Sequence, residues 1–277
     1  MSIKNITDAA FFKGFVRMAD DGWQQGWHER NGGNLSYRLK DSDVAEIEQF
    51  LTHDAPWQPI GVTVALLRKS YFLVTGSGKY FRNVKDFPED SLAVIEIDET
   101  GIHYRVCWGL VNGGRPTSEL PTHLMNHAVK LAAGKTENRV IYHAHPGNLI
   151  ALTFVLPLDH ETFTRELWES ATECPVVFPD GVRVVPWMVP GGREIAEATG
   201  VLMKECDAVV WAHHGLFCSG ETFDSTFGLM HTIEKAAEIL VKVISMSGAL
   251  PGGKKRQTIT KQDFADLADA FGVKLAY

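Results

Sequence analysis

The chain of 277 residues contains only four cysteines, Cys107, Cys174, Cys206 and Cys218, scattered without a Cys-x-x-Cys pair. That leaves no disulfide framework and no thiolate cluster, and it suits a reduced, cytoplasmic protein. Cys218 lies near His214, but a small buried hydrophobe is its simpler reading. No apolar run can span a bilayer: the longest, NLIALTFVLPL, falls short of the roughly 20 residues a spanning helix needs. The opening MSIKNITDAAFFKGF lacks the sustained apolar core of a signal peptide. Basic charge is also in deficit, since 27 Lys and Arg against 34 Asp and Glu leave a net −7. That argues against nucleic acid as a partner, which needs a basic footprint. A small anion is still admissible, because local N–H groups and a metal outweigh global charge. No repeat or linker divides residues 1–277, which read as one domain.

Hydrophobic content of 45% is enough for a substantial core. Thr7 is positioned to cap a helix whose Phe11, Phe15, Met18, Trp23 and Trp27 recur at near-helical spacing. LSYRL and YFLV read as strands, and LAVIEID with IHYRVCW as a hairpin. The segment from Asp41 to Pro59 gives mixed signals. A helix opens at Pro116-Thr117-Ser118-Glu119, with a Thr or Ser cap and Gly134 as its stop. Further helices are expected near Asn148–Leu156, Glu161–Ser170, Glu194–Lys204, Thr222 and Lys261. PVVFPDGVRVVPW reads as a second hairpin, and Lys254-Lys255-Arg256 as a solvated loop. Helices mixed with hairpins and isolated strands argue for a layered α/β domain with a mixed or largely antiparallel sheet.

The chemistry begins at His143-Ala-His145, where Val140-Ile141-Tyr142 reads as a buried strand. Residues two apart on a strand face the same side, roughly 6.5–7 Å apart, so two imidazoles can converge on one ion. AVVWAHHG brings His213 and His214 to another strand end, with their side chains pointing apart. Three imidazoles would make an open transition-metal site suited to zinc. Glu119, His123 and His127 share a helix face at i, i+4 and i+8, a spacing like that of the zincins. A zincin needs Glu directly after the first His, and Leu124 stands there instead. Asn31-Gly32-Gly33-Asn34 and Thr75-Gly76-Ser77-Gly78-Lys79 are small-residue turns whose amides can approach an anion. Neither has Walker or dinucleotide spacing. Thr117-Ser118 at a helix start offers a third contact of that kind.

Taken together, GGNLS, VTGSGK, PTSELPTH, His143-Ala-His145 and His214-Gly215 resemble the class II aldolase/adducin family. The similarity spans nearly the whole chain and is weakest over Asp41–Val64 and after Gly248. The resemblance implies a three-layer α/β/α domain with a mixed, mostly antiparallel central sheet. It also implies one zinc ion per subunit on His143, His145 and His214, and a homotetramer with sites at subunit boundaries. Glu119 falls on the family's acid/base and Glu173 on a second catalytic carboxylate. Substrate and phosphate contacts fall on Asn31, Gly33, Asn34, Ser77, Gly78, Thr117 and Ser118.

The resemblance further implies aldol cleavage of a ketose 1-phosphate, with a Lewis acid stabilising the enediolate of dihydroxyacetone phosphate. No lysine stands in a Schiff-base signature. Three rivals remain open at this level. A sugar-phosphate 4-epimerase would use the same chemistry and rejoin the fragments. An adducin-like interaction module would keep the fold but lose metal ligands, and all three are present here. A barrel metallohydrolase would carry its His-x-His pair near the N-terminus.

Overall fold

A computed structural model of the chain describes residues 3–247 and 257–277, so Lys254-Lys255-Arg256 lies outside the described residues. One nine-stranded sheet runs through the molecule in the order β2-β5-β4-β3-β1-β6-β9-β8-β7. Its strands are β1 (Asn34–Arg38), β2 (Gln58–Pro59), β3 (Tyr71–Thr75), β4 (Leu92–Ile97) and β5 (His103–Gly109). The remainder are β6 (Val140–Ala144), β7 (Arg183–Val185), β8 (Ala208–Trp211) and β9 (Gly215–Gly220). Every pairing is antiparallel except β7 with β8. The sheet is therefore mixed and mostly antiparallel, as the sequence suggested.

The helices are α1 (Ala10–Gln24), α2 (Asp41–Ile47), α3 (Pro88–Ser91), α4 (Leu120–Ala132) and α5 (Gly147–Leu152). They continue as α6 (His160–Trp168), α7 (Cys174–Val177), α8 (Arg193–Met203), α9 (Phe223–Ser247) and α10 (Lys261–Phe271). Period-two alternation sends strand side chains to two separate cores. Leu73, Val94, Tyr142 and Val210 pack with Phe12 and Phe15 of α1 and Met230 and Ile233 of α9. Phe72, Val74 and Ile95 face the other way, onto Leu120 and Leu124 of α4. On that same side Ile141, Val209 and Phe217 meet Ile195 and Met203 of α8. Helices thus cover both faces, giving three layers.

Several local expectations need correction. Thr7 caps nothing: Asn5 accepts from its amide at 3.1 Å and closes a capping box on a short turn, Ile6–Asp8, before α1 begins. Helix α4 starts later than expected, with Glu119 itself at the cap position and without a side-chain cap. Gly134 ends it as expected, at φ +78°. The segment from Asp41 to Pro59 forms α2, a 3-10 turn and the edge strand β2, where a proline is tolerated.

PVVFPDGVRVVPW is not a hairpin. Pro175 sits in the first turn of α7, where its missing N–H costs nothing, so Val176 and Val177 are helical. A β-branched run this short does not separate strand from helix. Strand β7 pairs in parallel with β8 because α8 carries the chain back between them.

Candidate active site

Strand β1 runs antiparallel to both β3 and β6, so its first residue meets their last ones. This places the Asn31–Asn34 loop, the turn after Thr75 and the histidines after Tyr142 at one end of the sheet. Pro116 bridges to Gly76, Ser77 N–H donates to Arg115 O at 2.7 Å, and Thr117 N–H donates to Thr75 O at 2.9 Å. Ser77, Gly78, Thr117 and Ser118 are thereby brought together beside Glu119. Ser77 has its amide engaged in that pairing and keeps only its exposed hydroxyl for a ligand.

His143, His145 and His214 form a triangle, with ring centroids 5.1, 5.0 and 5.0 Å apart. The ring of His143 is buried and stacks on Phe217 at 4.2 Å. Its Nδ1–H donates to Leu216 O at 3.1 Å, which leaves the lone pair on Nε2. His145 repeats the arrangement, with Nδ1–H donating to Glu29 at 2.6 Å. Both Nε2 atoms are buried without a partner. Two such orphaned acceptors, with each ring fixed from behind by an oxygen, are what metal ligation leaves in a metal-free chain. Burial holds His143 neutral by pushing its pKa well down, and lowers that of His214 to about 4. Neutral imidazole is the form that binds metal. The residues therefore fit a transition-metal ion.

His213 and His214 do not extend a strand. They occupy the tight turn between β8 and β9, with His213 left-handed at φ +62°. Thr153 holds His213 through its hydroxyl, 3.0 Å from Nδ1, and Phe154 packs on the ring. It is the turn, rather than strand alternation, that separates the two side chains.

Glu119 lies 3.8 Å from His143 Nε2 and is almost fully buried. Burial pushes its carboxyl up to about 7, against the opposing pull of a hydrogen bond from Asn34 Nδ2 at 2.8 Å. A carboxyl balanced near neutrality can both take and give a proton. Asn34 is engaged at both ends of its amide, so only its backbone is left for a phosphate.

Asn31 and Glu173 are exposed. Glu173 begins α7, whose last residue, Val177, lines a cavity with Asn138 and Gly220. That cavity is at the opposite end of β6 from the triad, and among the described residues no hydrogen bond, ion pair or ring contact joins Glu173 to the triad. A second cluster, His53, Glu96 and Cys107, has ligand atoms close enough for an ion. Arg105 grips the Glu96 oxygen that faces both partners, at 2.6 Å, so a cation already fills that role.

Sequence reasoning missed Glu29 and His28. His28 Nδ1–H donates to Gly32 O at 2.9 Å, and its Nε2 accepts from Tyr142 O–H at 2.7 Å, which ties the Asn31–Asn34 loop to β6. No local pattern announces either residue. Only GWHERNGGN, where both immediately precede the glycine loop, hinted at them.

The helix-flanked mixed sheet thus brings three convergent imidazoles, a set that could hold a metal ion, beside one buried carboxyl. The Class II Aldolase and Adducin N-terminal domain family matches residues 14–241, and the chain belongs to it. It is 51% identical to the rhamnulose-1-phosphate aldolase of Mannheimia succiniciproducens, over 98% of this chain and 97% of that one. It is 47% identical to the rhamnulose-1-phosphate aldolase of Escherichia coli O81, with the same coverage. Among solved structures it is similar to a sugar-phosphate aldolase from Thermotoga maritima. The TM-score is 0.74 at 29% identity, over 86% of this chain and 96% of that one.

Proposed function

We propose that this chain is a metal-dependent aldolase that reversibly cleaves L-rhamnulose 1-phosphate to dihydroxyacetone phosphate and L-lactaldehyde. The observation that carries the reading is the pair of buried, unpartnered Nε2 atoms on His143 and His145 beside Glu119. Identity of 51% to a rhamnulose-1-phosphate aldolase over 98% of the chain supports the choice of sugar. His143, His145 and His214 would hold one zinc ion per subunit, which supplies a Lewis acid for the substrate's carbonyl oxygen.

Glu119 exchanges the proton at the carbon that becomes nucleophilic, and its buried setting keeps water from competing for that proton. Gly33, Asn34, Ser77, Gly78, Thr117 and Ser118 enclose the phosphate, with Asn31 at the reacting carbons. Glu173, exposed and without a described contact to the triad of its own chain, serves the aldehyde half of a neighbouring subunit's substrate in a homotetramer. Four free, buried thiols suit a reduced cytoplasmic setting, and no helix among the described residues is long and apolar enough to cross a membrane.

The test is to incubate the purified protein with L-rhamnulose 1-phosphate, with and without a chelator, and to assay triose phosphate. Release that stops on chelation and returns with zinc is expected. Accumulation of a stereoisomer without free triose phosphate would make the enzyme an epimerase, and chelator-insensitive release would remove the metal from the reading.

A further inference from the structure

Among the described residues the helix face carrying Glu119, His123 and His127 forms no candidate metal cluster, yet all three side chains are buried and joined by one line of hydrogen bonds. Strand β1 supplies the links, because Asn34 and Ser36 share the face toward α4 while Leu35 and Tyr37 enter the apolar core opposite. His123 Nε2 is 2.5 Å from Asn34 Oδ1, and its Nδ1 is 2.7 Å from Ser36 Oγ. Ser36 Oγ is also 2.9 Å from His127 Nε2.

With the Asn34 amide in the orientation of the structure, the protons in this line have one consistent assignment. An amide oxygen only accepts, so His123 must donate to Asn34 from Nε2. Its Nδ1 then carries a lone pair and accepts the Ser36 hydroxyl proton. Ser36, having given its proton, accepts from His127 Nε2–H, and the unpartnered His127 Nδ1 is a lone pair. At the other end, Asn34 turns its NH₂ to Glu119. With Glu119 ionised and His123 in this tautomer, a flipped amide would set its oxygen against the carboxylate oxygen and its NH₂ against the Nε2–H.

Burial keeps both rings neutral, pushing His123 to about 3 and His127 well below its usual range. Apolar side chains of similar volume would fill this space without burying five polar groups. We propose that His123, backed by Ser36 and His127, is a positioning residue. It fixes the Asn34 amide in the orientation that donates to Glu119 and so aims that carboxylate at the triad. The proposal rests on the reading of Glu119 as the acid/base.

A double-mutant cycle on the metal-loaded protein tests it, with kcat, KM for L-rhamnulose 1-phosphate and bound metal as readouts. His123→Phe should keep its metal and its KM while kcat falls about 10–100-fold, the scale of a misaimed catalytic group. His123→Gln, whose amide can donate to Asn34, should recover most of that loss. In a Glu119→Gln background, adding His123→Phe should cost less than about two-fold, since residues acting as one unit are not additive. Equal losses in both backgrounds, or a change confined to KM, would overturn the proposal.

Ser36→Ala leaves both rings in place and is scored in the same way, so a Phe variant that does not fold shields nothing. Nitrogen NMR of the imidazoles adds a readout independent of turnover: His123 should be the neutral Nε2–H tautomer, and an Nδ1–H form would sink the assignment. Wild-type turnover by Glu119→Gln would remove the acid/base reading and the proposal with it. That failure shows in the single variant and is distinct from failure at His123.

Discussion

Asn34 lies directly across from His143 in the β1–β6 ladder. The pairing joins the loop that carries Asn31 and Gly33 to the strand that carries His143 and leads into His145. A slip of one residue would turn His143 into the apolar core and Asn34 away from Glu119, so the burial of Leu35 and Tyr142 on the opposite face sets the geometry of the site. Packing and chemistry here depend on one register.

Removing a metal ligand should be separable from removing its neighbour. His143→Ala, His145→Ala and His214→Ala should each lose bound metal and activity together. His213→Ala should keep its metal, because that ring faces Thr153 and Phe154. Glu29→Gln should weaken metal affinity by about 10–100-fold, the usual effect of losing the group behind a ligand. Metal analysis after dialysis decides, and a metal-free His213→Ala beside a loaded His214→Ala would reverse the ligand assignment.

Glu119→Gln should slow turnover about 10²–10⁴-fold while metal content stays at the wild-type level. Glutamine keeps the size of the side chain and can still sit beside Asn34, so the loss measures proton transfer rather than packing. Turnover within a few-fold of wild type would take Glu119 out of the mechanism.

Strands β1, β3, β4, β5, β6 and β8 were readable because each alternates or runs apolar between turn residues, and LAVIEID with IHYRVCW paired as expected, whereas β2 fell in the Asp41–Pro59 segment and β9 was not foreseen. That His143, His145 and His214 converge was legible in part: the first two are two apart at a strand end, while the choice of His214 over His213 came from the family resemblance. What stayed hidden depends on contacts distant in sequence. Glu29 meets His145 across 116 residues, and Ser36 meets His123 across 87. Glu119, His123 and His127 were seen to share a face, but only β1 reveals what that face touches. The second hairpin failed because Val176-Val177 suits a strand locally while Pro175 starts a helix.

Glycine positions at the site should differ in kind. Gly33 is left-handed at φ +74°, and a Cβ there would come within 2.5 Å of His28 Nδ1 and 2.6 Å of His143 O. Gly33→Ala should therefore lower stability and metal binding together. Gly78 is also left-handed, at φ +72°, but a Cβ there meets nothing within 4 Å. The intrinsic cost of an L-residue in that conformation is about 1–2 kcal/mol. Gly78→Val should fold, keep its metal and raise KM for the phosphorylated sugar. Equal efficiency toward the unphosphorylated ketose in the wild type would remove the phosphate from recognition.

Acid should destabilise the metal-free protein before ordinary carboxylates titrate. Burial depresses His28 and His123 to about 3 and lowers His127 and His143 strongly, while an unfolded histidine titrates near 6.5. Below pH 6.5 the unfolded chain binds protons that the folded one refuses, so stability falls as pH falls. The limit is about 1.4 kcal/mol per pH unit for each such group. Glu119 has the opposite sign: raised to about 7 when folded, it favours the folded state as pH drops toward 4.5. Four imidazoles outweigh one carboxyl, so the urea midpoint of chelated protein should be lower at pH 5 than at pH 7. A flat or rising midpoint would mean that these rings accept protons in place.

Glu173 provides the test of shared active sites. It is exposed at the N-cap of α7, and no described contact joins it to the triad of its own chain. Inactive Glu119→Gln and Glu173→Gln proteins can be unfolded together and refolded as mixed oligomers. If both carboxylates of a site came from one chain, every site would carry one defect and the mixture would stay inactive. If Glu173 crosses a head-to-tail ring interface, random assembly leaves about a quarter of the sites with both carboxylates intact. Activity should recover to about a quarter of the wild-type value as mixing approaches completion. Persistent inactivity in rings shown by mass to be mixed would assign both carboxylates of a site to one chain and overturn the sharing.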